Sequence, residues 1–306
     1  MEMVVNGVST RKVLRITNEL CGKDFSKSTV SALCQQLDPP VQAWNDRRLE
    51  TQLFPFVLVD ALVIYVREDG QVRTVSALIA TGINLEGYRE ILGLQLGDSE
   101  SEWSWGQFFG WLKDRGLQGV DFLISDNHRG LVKAAQRHFQ GVTWQRCQAH
   151  FTRNIAAAAP QALHAEIAEQ VRPILTAPDL ATARVLLNAC LERFEERAPQ
   201  AMQILEDGFD AATAVLVLPS HYRQRLRTTN SQERLNQELR RRERVVRIFP
   251  NRAAALRLLG AVLLEQHEQW STGRKYLEMD EYHEWVPARA AAAKGGARPL
   301  NPFASE

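Results

Sequence analysis

Asp60 lies in an apolar segment, where burial of a carboxylate costs free energy. It is the only residue charged at neutral pH between positions 53 and 66, a stretch rich in Val, Ile and Phe that predicts a buried strand. A carboxylate in such a strand needs a hydrogen-bond partner, a metal ion or an open cleft, because its burial otherwise costs several kcal/mol. Unusually placed carboxylates are enriched at active sites, so Asp60 is a candidate functional residue. The alternative is a structural aspartate bonded to the backbone.

A second acidic residue, Asp126, directly follows another predicted strand and begins a turn that contains His128 and Gly130. This arrangement places the carboxylate at the carboxyl end of the strand, where the sites of α/β proteins collect. The alternative is a cap for the helix that follows. His128 could bind a metal ion or contact DNA, although a lone histidine more often does neither.

A third acidic residue, Glu233, lies in a segment with a helical pattern. Residues three or four positions apart share a helix face. The face of Glu233 carries amides and, one turn further on, arginines: Asn230, Asn236, Gln237, Arg240 and Arg241. A carboxylate flanked by amides is suited to hold a divalent ion beside a phosphate. The alternative is an ordinary surface glutamate that pairs with an arginine.

Cys147 and His150 form a Cys-x-x-His pair at the end of a predicted strand. A structural zinc site usually takes four ligands, two of them from a second such pair. The sequence contains no Cys-x-x-Cys and no His-x-x-His. We therefore expect these two residues to have a packing or positioning role.

Positive charge is concentrated in one segment, residues 221–252. It contains ten arginines and three glutamates, a formal charge of +7, whereas the whole chain carries +1. Charge concentrated in this way indicates a polyanionic partner such as nucleic acid. A solvated, arginine-rich helix face is the alternative.

Composition excludes several protein classes. The 306 residues indicate about two domains, and 45% hydrophobic with 24% charged residues is typical of a globular protein with a sizeable core. No uninterrupted apolar stretch reaches the ~18 residues of a membrane span, and the N-terminus has no signal pattern. The four cysteines are too scattered for a disulfide framework. We therefore predict a cytoplasmic protein.

The elements that must position these residues follow from hydrophobic patterning. Strands are predicted at 53–66, 72–81, 91–96, 120–125 and 142–146, and helices at 103–115 and 131–139. A doubly wound fold would alternate strand and helix from the start. Three successive strands followed by strand–helix units are instead the order of a ribonuclease H-like sheet. The expected fold is therefore α/β, with a mixed five-stranded sheet.

Helical patterns predominate outside this sheet. Helices at 9–20 and 26–37 about a tight turn predict a helix-turn-helix-like DNA-binding segment within residues 1–50. An all-α insertion is expected at 151–220, between the first part of the core, 51–150, and its last part, 221–285. The latter has helical patterns at 228–244 and 252–270. The Ala/Gly/Pro-biased tail, 286–306, is predicted to be disordered.

Taken together in order and spacing, these pieces resemble the mutator-type DDE transposases of bacterial insertion sequences, from about Gly7 to about Trp270. The matching runs, in chain order, are GVSTR at 7–11, SKSTVS at 26–31, VDA at 59–61, SDNHRGL at 125–131, CQAH at 147–150, TTNSQERLN at 228–236, RRR at 240–242 and IFPN at 248–251.

The resemblance implies a ribonuclease H-like core in which Asp60, Asp126 and Glu233 form an acidic triad. Three carboxylates of this kind hold two divalent ions ~3.5–4 Å apart, Mg²⁺ with Mn²⁺ as a substitute. Such ions activate a water or a 3′-hydroxyl and stabilise the leaving 3′-oxygen. The implied reaction is cleavage at transposon ends followed by joining of the 3′-hydroxyl to target DNA. Cys147, His150 and His128 would position the site.

Double-stranded DNA, as transposon ends and as target, is the implied partner, with a bacterial, DNA-associated location. A homodimer or larger assembly is expected, because two ends must be joined. Phosphate contacts are expected from polar residues of the basic segment and of the N-terminal pair. These are Arg227, Asn230, Arg234, Arg240, Arg241, Arg242, Arg244, Arg11 and Lys27.

One departure from the family is visible at the N-terminus. Family members usually carry a longer region, which helps to recognise the terminal repeats, before the run that begins here at Gly7. Two other functions therefore stand beside an active transposase. One is a DNA-binding remnant or regulator without activity, and the other is a related ribonuclease H-like nuclease.

Overall fold

The computed structural model describes residues 2–8, 12–13, 16–17, 19 and 26–294. Short helices come first: α1 (Glu2–Val5), α2 (Lys27–Gln35) and α3 (Asp38–Asn45). The central part has three successive strands and then alternates helices and strands: β1 (Phe56–Glu68), β2 (Gln71–Ile83), β3 (Arg89–Gly97), α4 (Glu102–Asp114), β4 (Phe122–Ser125), α5 (Arg129–His138) and β5 (Thr143–Arg146). Helices follow: α6 (Gln148–Ala158), α7 (His164–Leu175), α8 (Leu180–Phe194), α9 (Pro199–Thr213), α10 (Ser220–Leu226), α11 (Asn230–Val246), α12 (Arg252–Thr272) and α13 (Asp280–Lys294).

The five strands form one mixed sheet in the order β3-β2-β1-β4-β5. β1 pairs antiparallel with β2, and β2 pairs antiparallel with β3. β4 lies parallel to β1, and β5 lies parallel to β4. The predicted mixed five-stranded sheet with helices is therefore confirmed, with strand ends displaced by at most three residues.

Period-two patterning of β1 gives the sheet two different faces. Alternate residues Leu62 and Ile64 enter a core shared with α11 and α12. Val57 and Val59 point to the opposite face and join the aromatic core formed with α4 and α5. Asp60 belongs to the first face, so its carboxylate lies on the side that α11 covers.

The helices between β5 and α10 have a hydrophobic core of their own, which includes Phe151, Ile167, Leu187 and Phe209. Buried amides join this helical block to the sheet. The side chain of Gln145, on β5, donates to the carbonyl of Ala212 (2.9 Å). Its oxygen accepts from the amide of Val215.

The predictions for the two ends of the chain agree with the structure at some residues and differ from it at others. The helix predicted at 26–37 is confirmed as α2, with Ser26 as its N-cap. The one predicted at 9–20 lies largely outside the described residues. Helix α13 continues to Lys294, so the prediction of a disordered tail is wrong for residues 286–294. Positions 295–306 lie outside the described residues.

Two further features concern the described part of the chain. No helix there is long and apolar enough to cross a membrane. The three cysteines that it contains, Cys34, Cys147 and Cys190, are all free thiols.

Helix α11 is anchored by apolar side chains, which gives a test of its packing. Leu239 is fully buried in the core shared with β1, so Leu239→Ala is expected to lower the free energy of unfolding by about 2–5 kcal/mol. Val245, on the same helix, is 40% exposed, and Val245→Ala is expected to cost less than about 0.5 kcal/mol. Urea unfolding followed by circular dichroism measures both. Equal losses would contradict this packing.

Candidate active site

Strand register brings the first two acidic residues together. Leu58 of β1 pairs with Ile124 of the parallel strand β4. Two residues further along each chain stand Asp60 and Asp126. Parallel strands in register keep equivalent residues side by side, so the two carboxylates share one edge of the sheet. β5 continues the same edge, because Ser125 pairs with Arg146 and Cys147 comes next.

The Asp60 carboxylate is held by two hydrogen bonds. Its Oδ1 accepts from the amide of Ala61 (2.9 Å), and its Oδ2 accepts from Nδ2 of Asn236 on α11 (2.8 Å). Burial, above all, and the charge of Asp126 raise the pKa of the Asp60 carboxyl to about 7, against the opposing effect of the Ala61 amide. The site therefore disfavours a second negative charge beside Asp126 unless a cation compensates it.

Asp126 stays at the end of β4 because its own turn holds it. Its Oδ1 accepts from the amide of His128 (3.1 Å). His128, not Asp126, is the N-cap residue of α5. Asp126 therefore bonds within its own turn and is not the cap of α5. Its carboxylate remains next to Asp60.

Helix α11 is docked on the sheet by polar contacts beside this carboxylate pair. Oε1 of the buried Gln232 accepts from the hydroxyl of Thr81 on β2 (2.7 Å). Asn236, only 9% exposed, donates to Asp60, and its Oδ1 has no hydrogen-bond partner among the described residues. These contacts fix the rotation of α11 about its axis and its distance from the sheet. They thereby also fix the position of Glu233.

Glu233 faces two basic residues of α6. Nη2 of Arg153 donates to Oε1 of Glu233 (3.0 Å), and Nε2 of His150 lies 3.8 Å from the same oxygen. In this structure Glu233 is therefore paired with an arginine, as the alternative interpretation expected. Its partner, however, is Arg153, outside the arginine-rich segment. Arg153 had no signal in the sequence beyond its spacing, three residues after His150 on one helix face.

The Cys147 thiol ties the start of α11 to the end of β5. Its Sγ accepts from both the amide and the hydroxyl of Thr229, each at 3.3 Å, and it is fully buried. Burial alone would raise the pKa of this thiol. Contact with His150 and the Thr229 hydrogen bonds outweigh that effect and lower it. The pKa of His150 is raised in turn, chiefly by Cys147. The pair thus contacts both the start of α11 and Glu233, next to the carboxylates.

A fourth acidic residue, Glu100, lies near Asp126 and was not predicted. Burial and the charge of Asp126 raise the pKa of its carboxyl to about 7. Nδ1 of His128 lies 3.8 Å from its Oε1. Gly130 lets the starts of α4 and α5 meet, since a Cβ there would stand 2.7 Å from the amide nitrogen of Glu102. Only the fold brings Glu100 to this place, because nothing in its sequence surroundings distinguishes it from neighbouring acidic residues.

The donor chemistry of the site fits a hard divalent cation. Carboxylate and amide oxygens are the ligands that Mg²⁺ and Mn²⁺ prefer. Asp60 and Asp126 repel one another, which a cation would relieve. In the described part of the chain, however, no three His, Cys, Asp or Glu side chains are yet arranged closely enough to hold a metal ion. Glu233 would have to turn away from Arg153 to become the third ligand.

The residues predicted to bind DNA differ in how exposed their side chains are. Arg234, Arg240 and Arg244 are exposed, as is Asn230, and Arg227 is half-buried. Arg241 is exposed but forms an ion pair with Glu238 (3.3 Å). Arg11 and the side chain of Lys27 lie outside the described residues.

For Arg242 the prediction is contradicted. This side chain is 8% exposed, pairs with Glu238, and donates through Nε to the carbonyl of Val5 (3.1 Å). It joins α11 to α1 and is not available to a phosphate. Helical periodicity could not show this, because the covering element, α1, lies more than 230 residues earlier in the chain.

Comparison with known proteins decides the family. The sequence profile of the family described as "Transposase, Mutator family" matches residues 1–273. The chain belongs to this family. It is 45% identical over 284 residues to the transposase for insertion sequence element IS256 in transposon Tn4001 of Staphylococcus aureus, covering 92% of this chain and 73% of that protein.

Two further relatives of this chain carry similar names. The transposase for insertion sequence element ISRM5 of Rhizobium meliloti is 40% identical, over 92% of this chain and 71% of its own length. The transposase for element IS1081 of Mycobacterium tuberculosis is 40% identical, over 94% and 68%. The resemblance inferred from the sequence motifs is therefore confirmed.

The raised pKa of Asp60 predicts a pH-dependent gain in stability for Asp60→Asn in this transposase without metal. When folding raises the pKa of an aspartate, the folded protein loses stability as the pH rises from the pKa of the unfolded state towards that of the folded state, here about 7. The variant should therefore melt at a higher temperature than the wild type at about pH 8, and the difference should shrink towards about pH 5. Differential scanning fluorimetry in EDTA measures this, with the exposed Asp114→Asn as control. A difference independent of pH would contradict the assignment.

The contact between Cys147 and Thr229 predicts a local effect on α11. Cys147→Ala leaves two buried donors of Thr229 without an acceptor, a cost of about 1–3 kcal/mol. Cys147→Ser keeps an acceptor and should lose less. Hydrogen exchange at residues 229–233 is expected to rise in the alanine variant and much less in the serine variant. Unchanged exchange in both would exclude the thiol as an anchor of this helix.

Proposed function

We propose that this chain is a DDE transposase in which Asp60, Asp126 and Glu233 carry metal-dependent phosphoryl transfer on DNA. The observation that carries the proposal is the docking of α11, the helix of the third acid, on the strand that carries the first. Two of the acids stand side by side at one sheet edge, and the third stands on α11, the helix whose Asn236 bonds Asp60. The Mutator family match supports it, because the relatives are named as transposases.

The strand order supports a ribonuclease H-like core for this chemistry. Three antiparallel strands followed by two parallel ones place β1 in the centre, next to β4. The central strand then contributes the first acid and its neighbour the second. Helix α11 returns from beyond the helical block to add the third. We further propose that α2 belongs to an N-terminal helix-turn-helix that contacts DNA.

Each residue has a role in the proposed reaction. Divalent ions, Mg²⁺ or Mn²⁺, would lower the pKa of the attacking hydroxyl or water and stabilise the leaving 3′-oxygen. Asp60 and Asp126 would hold them from the sheet, and Glu233 would complete the ligand set after leaving Arg153. Asn236 keeps the Asp60 carboxylate oriented. Arg153, once released, lies at the edge of the site, where it can contact a phosphate.

The substrate of the proposed reaction is double-stranded DNA. Water first cleaves a phosphodiester at a transposon end and releases a 3′-hydroxyl. That hydroxyl then attacks a phosphodiester of the target, so one bond forms as another breaks, and no covalent protein intermediate is needed. Joining two ends implies at least a homodimer on DNA.

Acid variants test the proposal directly. Asp60→Asn, Asp126→Asn and Glu233→Gln should each reduce Mn²⁺-dependent cleavage and strand transfer to background, because each removes a ligand. The assay uses labelled duplexes that carry the ends of the element encoding this chain. Asp114→Asn, an exposed change on α4, is the control that should retain full activity. Full activity in any of the three acid variants would remove that residue from the triad.

The same assay distinguishes the two other functions. A regulator without activity would bind the ends, and neither wild type nor variants would cut them. A simple nuclease would cut with water but would not join strands. Joined products from the wild type alone are the expected result.

A further inference from the structure

A polar cleft lies beside α11, on a different face of this helix from the one that contacts Asp60. It has a volume of about 620 Å³ and is lined by residues of β3, α10, α11 and α12 and of the loop after α12. Its basic residues are Arg89, Arg225 and Arg234, and its aromatic residues are Trp270 and Tyr276. Neither Arg89 nor the two rings belong to the predicted DNA-binding set.

Arg89 is fixed in this cleft by aromatic rings. Its guanidinium carbon lies 4.0 Å from the ring centre of Trp270 and 4.2 Å from that of Tyr276. Arg225 also lies over Tyr276, at 4.8 Å. Contact with ring faces leaves the edge N–H groups of a guanidinium for hydrogen bonding. Rigid positioning of this kind lowers the entropy that binding would cost.

These three arginines have no carboxylate within ion-pair distance among the described residues. Glu238 also lines the cleft, but its carboxylate pairs with Arg241 and Arg242. Burial lowers the pKa of Arg89, and repulsion by Arg225 and Arg234 lowers it further. The three positive charges therefore lie close enough to repel one another, and an anion in the cleft would relieve this repulsion.

Helix α11 contributes residues both to the cleft and to the candidate active site. Asn230, Arg234 and Glu238 recur at four-residue spacing and form the helix face that lines the cleft. Glu233 and Asn236 lie on the neighbouring face, towards Asp60. A strand held at Arg234 would therefore pass within a few nucleotides of Glu233.

We propose that this cleft binds consecutive backbone phosphates of the DNA strand whose neighbouring phosphodiester enters the active site. The proposal rests on the proposed function for the identity of the ligand as DNA. Guanidinium groups bind phosphates in a bidentate manner, and three of them around one cleft match a chain of diesters better than one isolated anion. Asn230, which also lines the cleft, can add a neutral hydrogen bond.

Salt dependence of DNA binding tests the cleft separately from catalysis. The full chain is titrated into a fluorescent duplex in EDTA, between ~50 and ~200 mM salt, and anisotropy gives Kd. Each lost phosphate contact reduces the slope of log Kd against log salt by about 0.9. Arg225→Ala with Arg234→Ala should therefore reduce it by about 1.8 and weaken binding most at low salt.

A matched double variant controls for overall charge. Lys133→Ala with Arg137→Ala removes two exposed positive charges from α5, away from the cleft. Its slope should stay at the wild-type value. Arg89→Lys keeps the charge but loses the planar group over the rings, and it should weaken binding without changing the fold, as judged by circular dichroism.

Three results would overturn the proposal. The first is an unchanged slope in the Arg225/Arg234 variant, and the second is an equal loss in the Lys133/Arg137 variant. The third is calorimetric binding of pyrophosphate that disappears in the Arg225/Arg234 variant while its DNA slope stays unchanged, which would make the cleft a site for free anions. Because these titrations need no cleavage, an inactive wild type with the expected slopes would refute the proposed function and leave the cleft assignment intact.

Discussion

The hydrogen bond from Asn236 to Asp60 joins two parts of the chain that are 176 residues apart. It links the central strand of the sheet to the helix that carries Glu233, across the whole inserted helical block. A directional bond of this kind restricts the rotation and sliding of α11 more strictly than apolar contacts do. Thr81 with Gln232 and Cys147 with Thr229 fix the same helix at two other points. The third acid is thus held in place by polar contacts from β1, from β2 and from Cys147, which directly follows β5.

Charge balance is the second constraint on this site. Asp60, Asp126 and Glu100 are near enough to interact, and the pKa values of Asp60 and Glu100 are both raised to about 7. His150 and Arg153 supply the positive charge that faces Glu233. Cations from outside would compete with these two side chains for the same carboxylate. In this structure Glu233 faces Arg153 and His150, and a metal ion proposed for this site would have to displace them.

Sequence patterns predicted the sheet and its acids because both depend on local information. Asp60 is conspicuous as a lone charge in an apolar strand, and Asp126 as the residue on which a strand ends. The mixed five-stranded sheet followed from the succession of strand and helix patterns. Arg242 shows the limit of this reasoning. Its periodicity places it with the exposed arginines of α11, whereas the distant α1 covers it. Glu100, Arg153 and the ring-stacked Arg89 are likewise defined by neighbours that are remote in sequence.

Direct measurement of Mn²⁺ binding tests the central claim, that α11 brings Glu233 to the two aspartates of the sheet as one metal site. Free Mn²⁺ can be followed by electron paramagnetic resonance as the full chain is added without DNA. Wild type should bind Mn²⁺, Asp60→Asn and Glu233→Gln should each bind it more weakly, and Arg153→Ala should bind it more tightly, because its Glu233 has lost its competing partner. Mn²⁺ binding that is the same in wild type and Glu233→Gln would contradict the account.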